Sequence, residues 1–250
     1  MPVTVKSEKQ IALMREAGIR LAKVHEELKK MIRPGISTLD IDRLGDELIR
    51  ESGCVPAFRN YQGYPSAICV SVNNEVVHGI PKKDRILKDG DIVSLDAGLV
   101  YKGFYSDAAR TWGVGSISYK ALRLMEVTRE SFFAGISQAK EGAYLRDISE
   151  AIEKYVRKNG FSVIRDLAGH GIGTGLHEEP DVYNYKTRDR GIRLKAGMTL
   201  AIEPMVSAGS ENVLLMDDGW TYITEDKSLS AHYENTILIT GDGCEILSLR

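Results

Sequence analysis

No apolar run in this 250-residue chain approaches the roughly 18 residues of a membrane-spanning helix. The opening MPVTVKSEKQ passes straight into a helix pattern, with no signal-peptide character. A membrane is therefore not an expected partner. Cysteine is scarce as well: Cys54, Cys69 and Cys244 are odd in number and none has CxxC spacing. That argues against a disulfide framework or a thiolate zinc site, and for a reducing, cytoplasmic setting. An excess of one charge is also missing. The 33 Lys and Arg residues stand against 35 Asp and Glu, and no basic run offers nucleic acid a footing. Low-complexity tracts and flexible linkers are absent too. What is present is an ordinary globular composition, 43% apolar and 27% charged, long enough for one large domain or two intimate halves.

The chain repeats itself. KDGDIVSLDAG at 88–98 returns 107 residues later as KAGMTLAIEPM at 195–205. Lys88 meets Lys195, Gly90 meets Gly197, and Asp96 meets Glu203. At the same offset GISTLDIDRLGDELIRESG (35–53) meets GAYLRDISEAIEKYVRKNG (142–160). Two capped helices would share such a rhythm by chance, but a second match on a strand argues for duplication. The period is far too long for a solenoid. Two halves, roughly 1–115 and 116–250, are expected to form one catalytic domain, each supplying one wall of a single site.

Along the chain, Ser7 with Gln10 three residues on caps a helix whose apolar face is Ile11, Met14, Ala17, Leu21, Val24 and Leu28. Pro34-Gly35 ends it. Thr38 is expected to cap a second helix, buried through Ile41, Leu44 and Leu48 and stopped by Gly53. The loop at 54–65 carries Phe58, Tyr61 and Tyr64, which suits either a loop folded on the core or the wall of an apolar pocket. A strand at 66–72 turns at Asn73-Asn74 and leads to His78. Strands 91–100 and 104–113 form a hairpin about Lys102-Gly103. A two-residue loop pairs Tyr101 with Phe104, and so Asp96 with Ala109. Asp107 is then the diagonal neighbour of Asp96 on the same face, about 7–8 Å away at the Cα atoms. In the second half, Ser118 starts a helix with Leu122, Met125, Phe132 and Ile136, and another helix runs from Leu145 to Lys158. A strand at 161–167 precedes GHGIGTGLHEEP at 169–180, where four glycines surround two histidines and let the backbone come close to something. Strand 198–203 bears Glu203, and its return strand near 231–240 bears Glu234. The segment between, 205–230, contains Trp220 and is where the halves differ most.

Asp96, Asp107, His170, Glu203 and Glu234 are the candidate metal ligands. Each alone has a plainer reading as a turn residue, a loop histidine or a paired acid. Jointly, four carboxylates and one imidazole suit a hard-to-borderline divalent ion such as Mn, Fe(II), Co or Zn. Five ligands are too many for one tetrahedral zinc. They suit two metals about 3.5–4 Å apart that share carboxylates.

The motifs Ser94-Leu95-Asp96-Ala97-Gly98, Ser106-Asp107-Ala108, Gly169-His170-Gly171, Leu176-His177-Glu178-Glu179-Pro180, Ala201-Ile202-Glu203-Pro204 and His232-Tyr233-Glu234-Asn235-Thr236 resemble methionine aminopeptidases of type I. The resemblance covers nearly the whole chain. It implies an α+β "pita-bread" fold, a curved antiparallel sheet backed by helices with pseudo-twofold symmetry. By resemblance Asp107 and Glu234 bridge two metals, Asp96 chelates one, and His170 with Glu203 completes the other. Glu203 would carry the proton, and His78 and His177 would contact the scissile amide. Tyr61, Tyr64, Cys69, Leu176 and Trp220 would line the methionine pocket, with Phe58 at its rim. Phe58 and Leu176 differ from what relatives often carry there. The implied activity is removal of the initiator methionine from nascent chains with a small second residue. The implied setting is a cytoplasmic monomer of compact, bacterial-like form, working on peptide N-termini at the ribosome. A monovalent cation near Asn73 and Ser230 belongs to the same resemblance. Two other readings compete: an Xaa-Pro peptidase of the same fold, and a non-catalytic module that binds a partner protein. Retention of all five ligands and both histidines weighs against the second.

Overall fold

The computed structural model describes residues 3–249. The first half opens with α1 (Glu8–Met31), α2 (Thr38–Glu51) and a short β1 (Val55–Pro56), followed by β2 (Ile68–Val72) and β3 (Glu75–Val77). The long hairpin β4 (Ile92–Tyr101) and β5 (Phe104–Gly113) closes it. The second half has α3 (Tyr119–Ile136), α4 (Leu145–Lys158), β6 (Ser162–Val163), β7 (Ala168–Gly171) and β8 (Glu178–Tyr183). Then come β9 (Thr199–Ile202), β10 (Met205–Ser207), β11 (Val213–Leu215) and β12 (Tyr222–Thr224). Last are β13 (Ser230–His232), β14 (Asn235–Ile239) and β15 (Cys244–Ile246). All recorded strand pairs are antiparallel. The main sheets run β1-β4-β2, with β5 on β4, and β15-β14-β9-β7-β8. Helices back sheets, so the class is α+β.

The 107-residue offset reappears in backbone hydrogen bonds. Gly35 N–H donates to Leu87 C=O, as Gly142 does to Leu194, both at 2.9 Å. Leu87 N–H donates to Ile36 C=O, as Leu194 does to Ala143, both at 2.8 Å. Gly90 and Gly197 share the left-handed turn that lets each strand begin, with φ of +91° and +89°. The helices α2 and α4 themselves differ by this offset at both ends.

Each half has its own core. Leu21, Val24, Leu28 and Ile41 of the first two helices pack on Val70, Val93 and Leu95. Leu124, Phe132, Ile148 and Ile152 pack on Leu200, Ile202 and Ile237. Burying side chains of this kind contributes about 1.5–3 kcal/mol each, which outweighs the modest intrinsic preference for helix. A third cluster draws on both halves: Met14, Phe58, Tyr64 and Phe104 meet Ile172, Leu176 and Leu238.

Several local expectations change. Ser37, not Thr38, caps α2: its hydroxyl accepts from Asp40 N–H at 3.1 Å. Thr38 is turned instead toward Lys82, whose N–H it accepts at 2.8 Å. In α2 the fully buried residues include Ile41 and Ile49, while Leu44 and Leu48 are half-buried. In α3 Leu122 is exposed, and Ala121, Leu124 and Val127 take the inner face. The strand expected over 161–167 shrinks to β6. The strand expected near 231–240 breaks at Tyr233-Glu234 into β13 and β14, which pair with different partners. Glu234 therefore sits in a gap between strands rather than within one, free to aim its side chain inward.

Candidate metal centre and substrate cleft

The hairpin register holds as the turn dictates: Asp96 faces Ala109 and Gly98 faces Asp107. Asp96 and Asp107 are thus diagonal neighbours on one face of the hairpin. From the other half, His170 on β7 pairs with Ala201 of β9, one strand-step from Glu203 at that strand's end. The backbone amide of Glu234 donates to Ala109 C=O at 3.0 Å, which brings its carboxylate to the hairpin. Donor atoms of Asp107, His170 and Glu234 lie within 4.8 Å of one another. His170 Nε2 is 3.7 Å from Glu203 Oε1 and 4.0 Å from Asp107 Oδ2. The five predicted ligands gather on the wall of one cavity of about 190 Å³.

Four acids gathered at the wall of one enclosed site resist ionising. Burial, with Glu203 nearby, pushes the Asp96 carboxyl up to about 7. Burial pushes Glu203 up to about 8. Asp107 and Glu234 are driven well above the usual carboxylate range by burial and by their acidic neighbours. Arg110 answers this only in part. Its guanidinium donates to backbone and amide oxygens of Ala109, Glu234, Asn235 and Ser248, not to any of the four carboxylates. Asp96 Oδ1, Asp107 Oδ1 and Glu234 Oε1 are buried with no hydrogen-bond partner among the described residues. Burial also keeps His170 neutral, down at about 3, with a ring nitrogen free to ligate. Orphaned carboxylate oxygens around a neutral imidazole fit a divalent cation.

The same cavity takes in the predicted cleft residues. Phe58, Tyr61, Tyr64, Cys69, Leu176 and Trp220 line it beside His78 and His177. Tyr64 packs edge-on against Trp220 at 5.2 Å and donates its hydroxyl to Gly79 C=O at 2.9 Å. Phe58 reaches the cavity because Gly98 offers no Cβ. A Cβ there would stand 2.7 Å from the Phe58 ring. Cys69 lies opposite Asp96 on β2, and burial keeps its thiol neutral. His78 sits at φ +58°, a left-handed conformation that few side chains adopt, and stacks edge-on toward Trp220 and Tyr222. His177 Nδ1 lies 2.7 Å from the Tyr61 hydroxyl. Burial lowers both histidines, His78 to about 4.

Sequence reasoning missed two residues. Asp42 is buried and accepts from the N–H groups of Ala67 and Ile68 at 2.8 and 3.1 Å, which fixes the start of β2. His232, quoted only as part of a motif, lies 3.3 Å from Glu203 Oε2 through its Nε2. The signal for it was the duplication followed one strand further. The register pairs Leu95 with Arg110 in one half and Ile202 with Asn235 in the other, so Asp107 and His232 occupy equivalent places.

Comparison with known proteins agrees with this picture. Residues 12–241 match metallopeptidase family M24. A methionine aminopeptidase of Clostridium perfringens is 52% identical over 247 residues, covering 99% of both chains. That of Escherichia coli is 45% identical over 251 residues, covering 100% of this chain and 95% of its own. The crystal structure of methionine aminopeptidase from Thermotoga maritima superposes with a TM-score of 0.97 at 46% identity over 100% of both chains. The α+β architecture is thus the pita-bread fold. The chain belongs to metallopeptidase family M24 and, within it, to the methionine aminopeptidases.

Proposed function

We propose that this chain removes the N-terminal methionine from new proteins whose second residue is small, acting as a cytoplasmic monomer on N-termini that emerge at the ribosome. One catalytic unit, built of halves 1–115 and 116–250, would carry the reaction. The observation that supports this reading above all is the placement of four acids, Asp107 and Glu234 buried and Asp96 and Glu203 partly so, with His170, drawn from both halves, on the wall of a cavity whose remaining lining is largely aromatic and apolar.

Asp107 and Glu234 would be shared between two divalent cations, with Asp96 toward one and His170 and Glu203 toward the other; Co, Mn, Fe(II) and Zn all suit such donors. Bound cations would supply Lewis acidity, lowering the pKa of water and polarising the scissile carbonyl. Glu203 would take the proton of the attacking water on its carboxylate and hand it to the departing amine. His78 and His177, neutral at pH 7, would hydrogen-bond the amide as its geometry changes. The Tyr61 hydroxyl beside His177 Nδ1 would hold that ring so that Nε2 faces substrate. Phe58, Tyr61, Tyr64, Cys69, Leu176 and Trp220 would enclose the thioether side chain, which packs well on rings, and the narrow cavity would exclude a large second residue. A monovalent cation at Asn73 and Ser230 fits the same reading. Ser230 N–H donates to Asn73 C=O at 2.8 Å, and the Ser230 hydroxyl is buried without a partner among the described residues.

The test is a pair of peptides, Met-Ala-Ser and Ala-Pro-Ser, offered to demetallated protein reconstituted with Mn or Co. Release of methionine from the first alone is expected. Cleavage of the second alone would replace the reading with an Xaa-Pro peptidase, and cleavage of neither would favour a binding module.

A further inference from the structure

His232 stands at a position that the other half fills with a metal-ligand candidate. The Thr236 hydroxyl accepts from Asp107 N–H at 3.0 Å and donates to Asp107 C=O at 2.9 Å. In the mirror arrangement the Thr111 hydroxyl accepts from His232 N–H at 2.9 Å and donates to His232 C=O at 2.8 Å. Each threonine thus clamps, on both backbone faces, the residue of the opposite half. The clamp fixes Asp107 and His232 equally well, yet one carries a carboxylate and the other an imidazole.

The imidazole points at the site from behind. His232 is 1% exposed, and its Nε2 is buried without a hydrogen-bond partner of ordinary geometry among the described residues. The nearest acceptor is Glu203 Oε2, at 3.3 Å. The opposite oxygen, Oε1, faces His170 Nε2 at 3.7 Å. Glu203 therefore lies between two imidazoles, one oxygen toward each. His170 lines the central cavity; His232 does not, and instead forms part of a rear cavity together with Arg110, Trp112 and Tyr233. A ring behind a carboxylate, with a nitrogen 3.3 Å from its far oxygen, is placed to orient that carboxylate rather than to replace it.

We propose that His232 is a positioning residue. It donates Nε2–H to Glu203 Oε2 and so holds Oε1 toward His170 and the metal-binding centre. The proposal rests on the reading of that centre as a metallopeptidase site, and it assigns His232 a role outside the five-ligand set.

Three forms decide it: wild type, His232→Leu and His232→Gln, the last keeping an N–H donor on a side chain of similar reach. Cobalt binding is followed by calorimetry and by visible absorption, and hydrolysis of Met-Ala-Ser by kcat and KM. In His232→Leu, cobalt affinity and kcat should each fall about 10- to 100-fold. KM should stay within about twofold, and the cobalt band pattern should not change. His232→Gln should recover most of the loss. Nitrogen-15 spectra of histidine-labelled, metal-free wild type taken above about pH 8, where the Glu203 carboxyl is ionised, should show His232 protonated at Nε2, a readout that survives if His232→Leu fails to fold. Wild-type affinity and kcat in His232→Leu, a Gln variant no better than Leu, or protonation at Nδ1 would overturn the proposal. So would a cobalt spectrum in His232→Leu that has lost a nitrogen donor, since that would make His232 a direct ligand. If wild type itself binds cobalt but hydrolyses no methionyl peptide, the enzymatic reading fails and the positioning role is judged on metal affinity and the nitrogen spectrum alone.

Discussion

Glu203 carries two assignments at once, as a metal ligand and as a proton carrier, and the amide of glutamine separates them from folding. Glu203→Gln keeps the shape, removes the ability to hold and return a proton, and takes one acid out of a crowded group. The expected result is a kcat lower by about 10²- to 10⁴-fold, with a melting temperature in the metal-free form no lower than wild type. A variant with wild-type turnover would remove Glu203 from the mechanism. The same crowding predicts how stability follows pH. In the folded, metal-free chain Asp96 ionises at about 7 and Glu203 at about 8, against ordinary values of 3.8 and 4.5. Between those limits the folded state holds protons that the unfolded state has released, so stability drops as pH rises. His170, His78 and His232, held down at about 3 to 4, act in the opposite sense, but that effect is complete once the pH passes the ordinary value of 6.5. From about pH 6.5 to about 8 the acids act alone. Metal-free protein should therefore melt at steadily lower temperature across that range, and a bound cation should flatten the slope by replacing the protons. A melting temperature that climbs over the same range would mean that the acids are not clustered as described.

At the scale of elements, sequence and structure agree best where local chemistry sets a boundary. The end of α4 at Lys158, stopped by Gly160, and the two-residue turn at Lys102-Gly103 are set by local sequence. They differ where tertiary pairing decides. The sequence around Tyr233-Glu234 reads as one strand, and the break appears only because β13 joins β10 while β14 joins β9. The inner face of α3 was misread at Leu122 for a related reason: several apolar registers exist on that helix, and only the opposing sheet selects one. The N-terminal segment is another element that only tertiary contact explains. Lys6 Nζ donates to Glu178 Oε2 at 2.8 Å, and both side chains are almost wholly buried. Glu178 also accepts from Thr174 and Gly175 N–H at 2.8 and 3.1 Å and from the Thr4 hydroxyl at 2.9 Å. Burial pushes the Glu178 carboxyl up, and the bonds from Lys6, Gly175 and Thr4 more than reverse it, leaving it below the usual carboxylate range. Gly173 leaves the space for this pair, since a Cβ there would stand 2.4 Å from Lys6 Cε. The knot fixes the loop that presents Leu176 and His177. Lys6→Met should strand a buried carboxylate and cost about 3–5 kcal/mol in denaturant unfolding, together with a raised KM for methionyl peptides. An unchanged KM would show that the loop keeps its shape without the segment.

On the scale of the whole molecule, the halves have separate cores and meet across a seam that contains the site. The seam is made by Glu234 N–H on Ala109 C=O, by the reciprocal threonine clamps, and by Arg110 reaching Asn235 Oδ1 at 2.6 Å. Asp96 and Asp107 approach it from one side, and Glu203 and Glu234 from the other. Without a cation these acids oppose the closure that the hydrogen bonds favour. With one, the attraction runs through the seam and not through either core. Metal at about a hundred times its dissociation constant adds about 2.7 kcal/mol of stability to the state that binds it. That gain should be unevenly spread if the seam opens before the cores do. Amide exchange should slow on metal addition chiefly in β5 (Phe104–Gly113), β9 (Thr199–Ile202) and β14 (Asn235–Ile239), the strands that border the ligands. The inner faces of α2 and α4 should change least, because their packing lies within one half. Protection that rose equally in helices and seam strands would mean that the chain opens as one cooperative unit, with no weaker plane between its halves. Protection confined to β4 and β5 would place the cation on the first half alone, and Glu203 and Glu234 would then be acids that the metal does not reach.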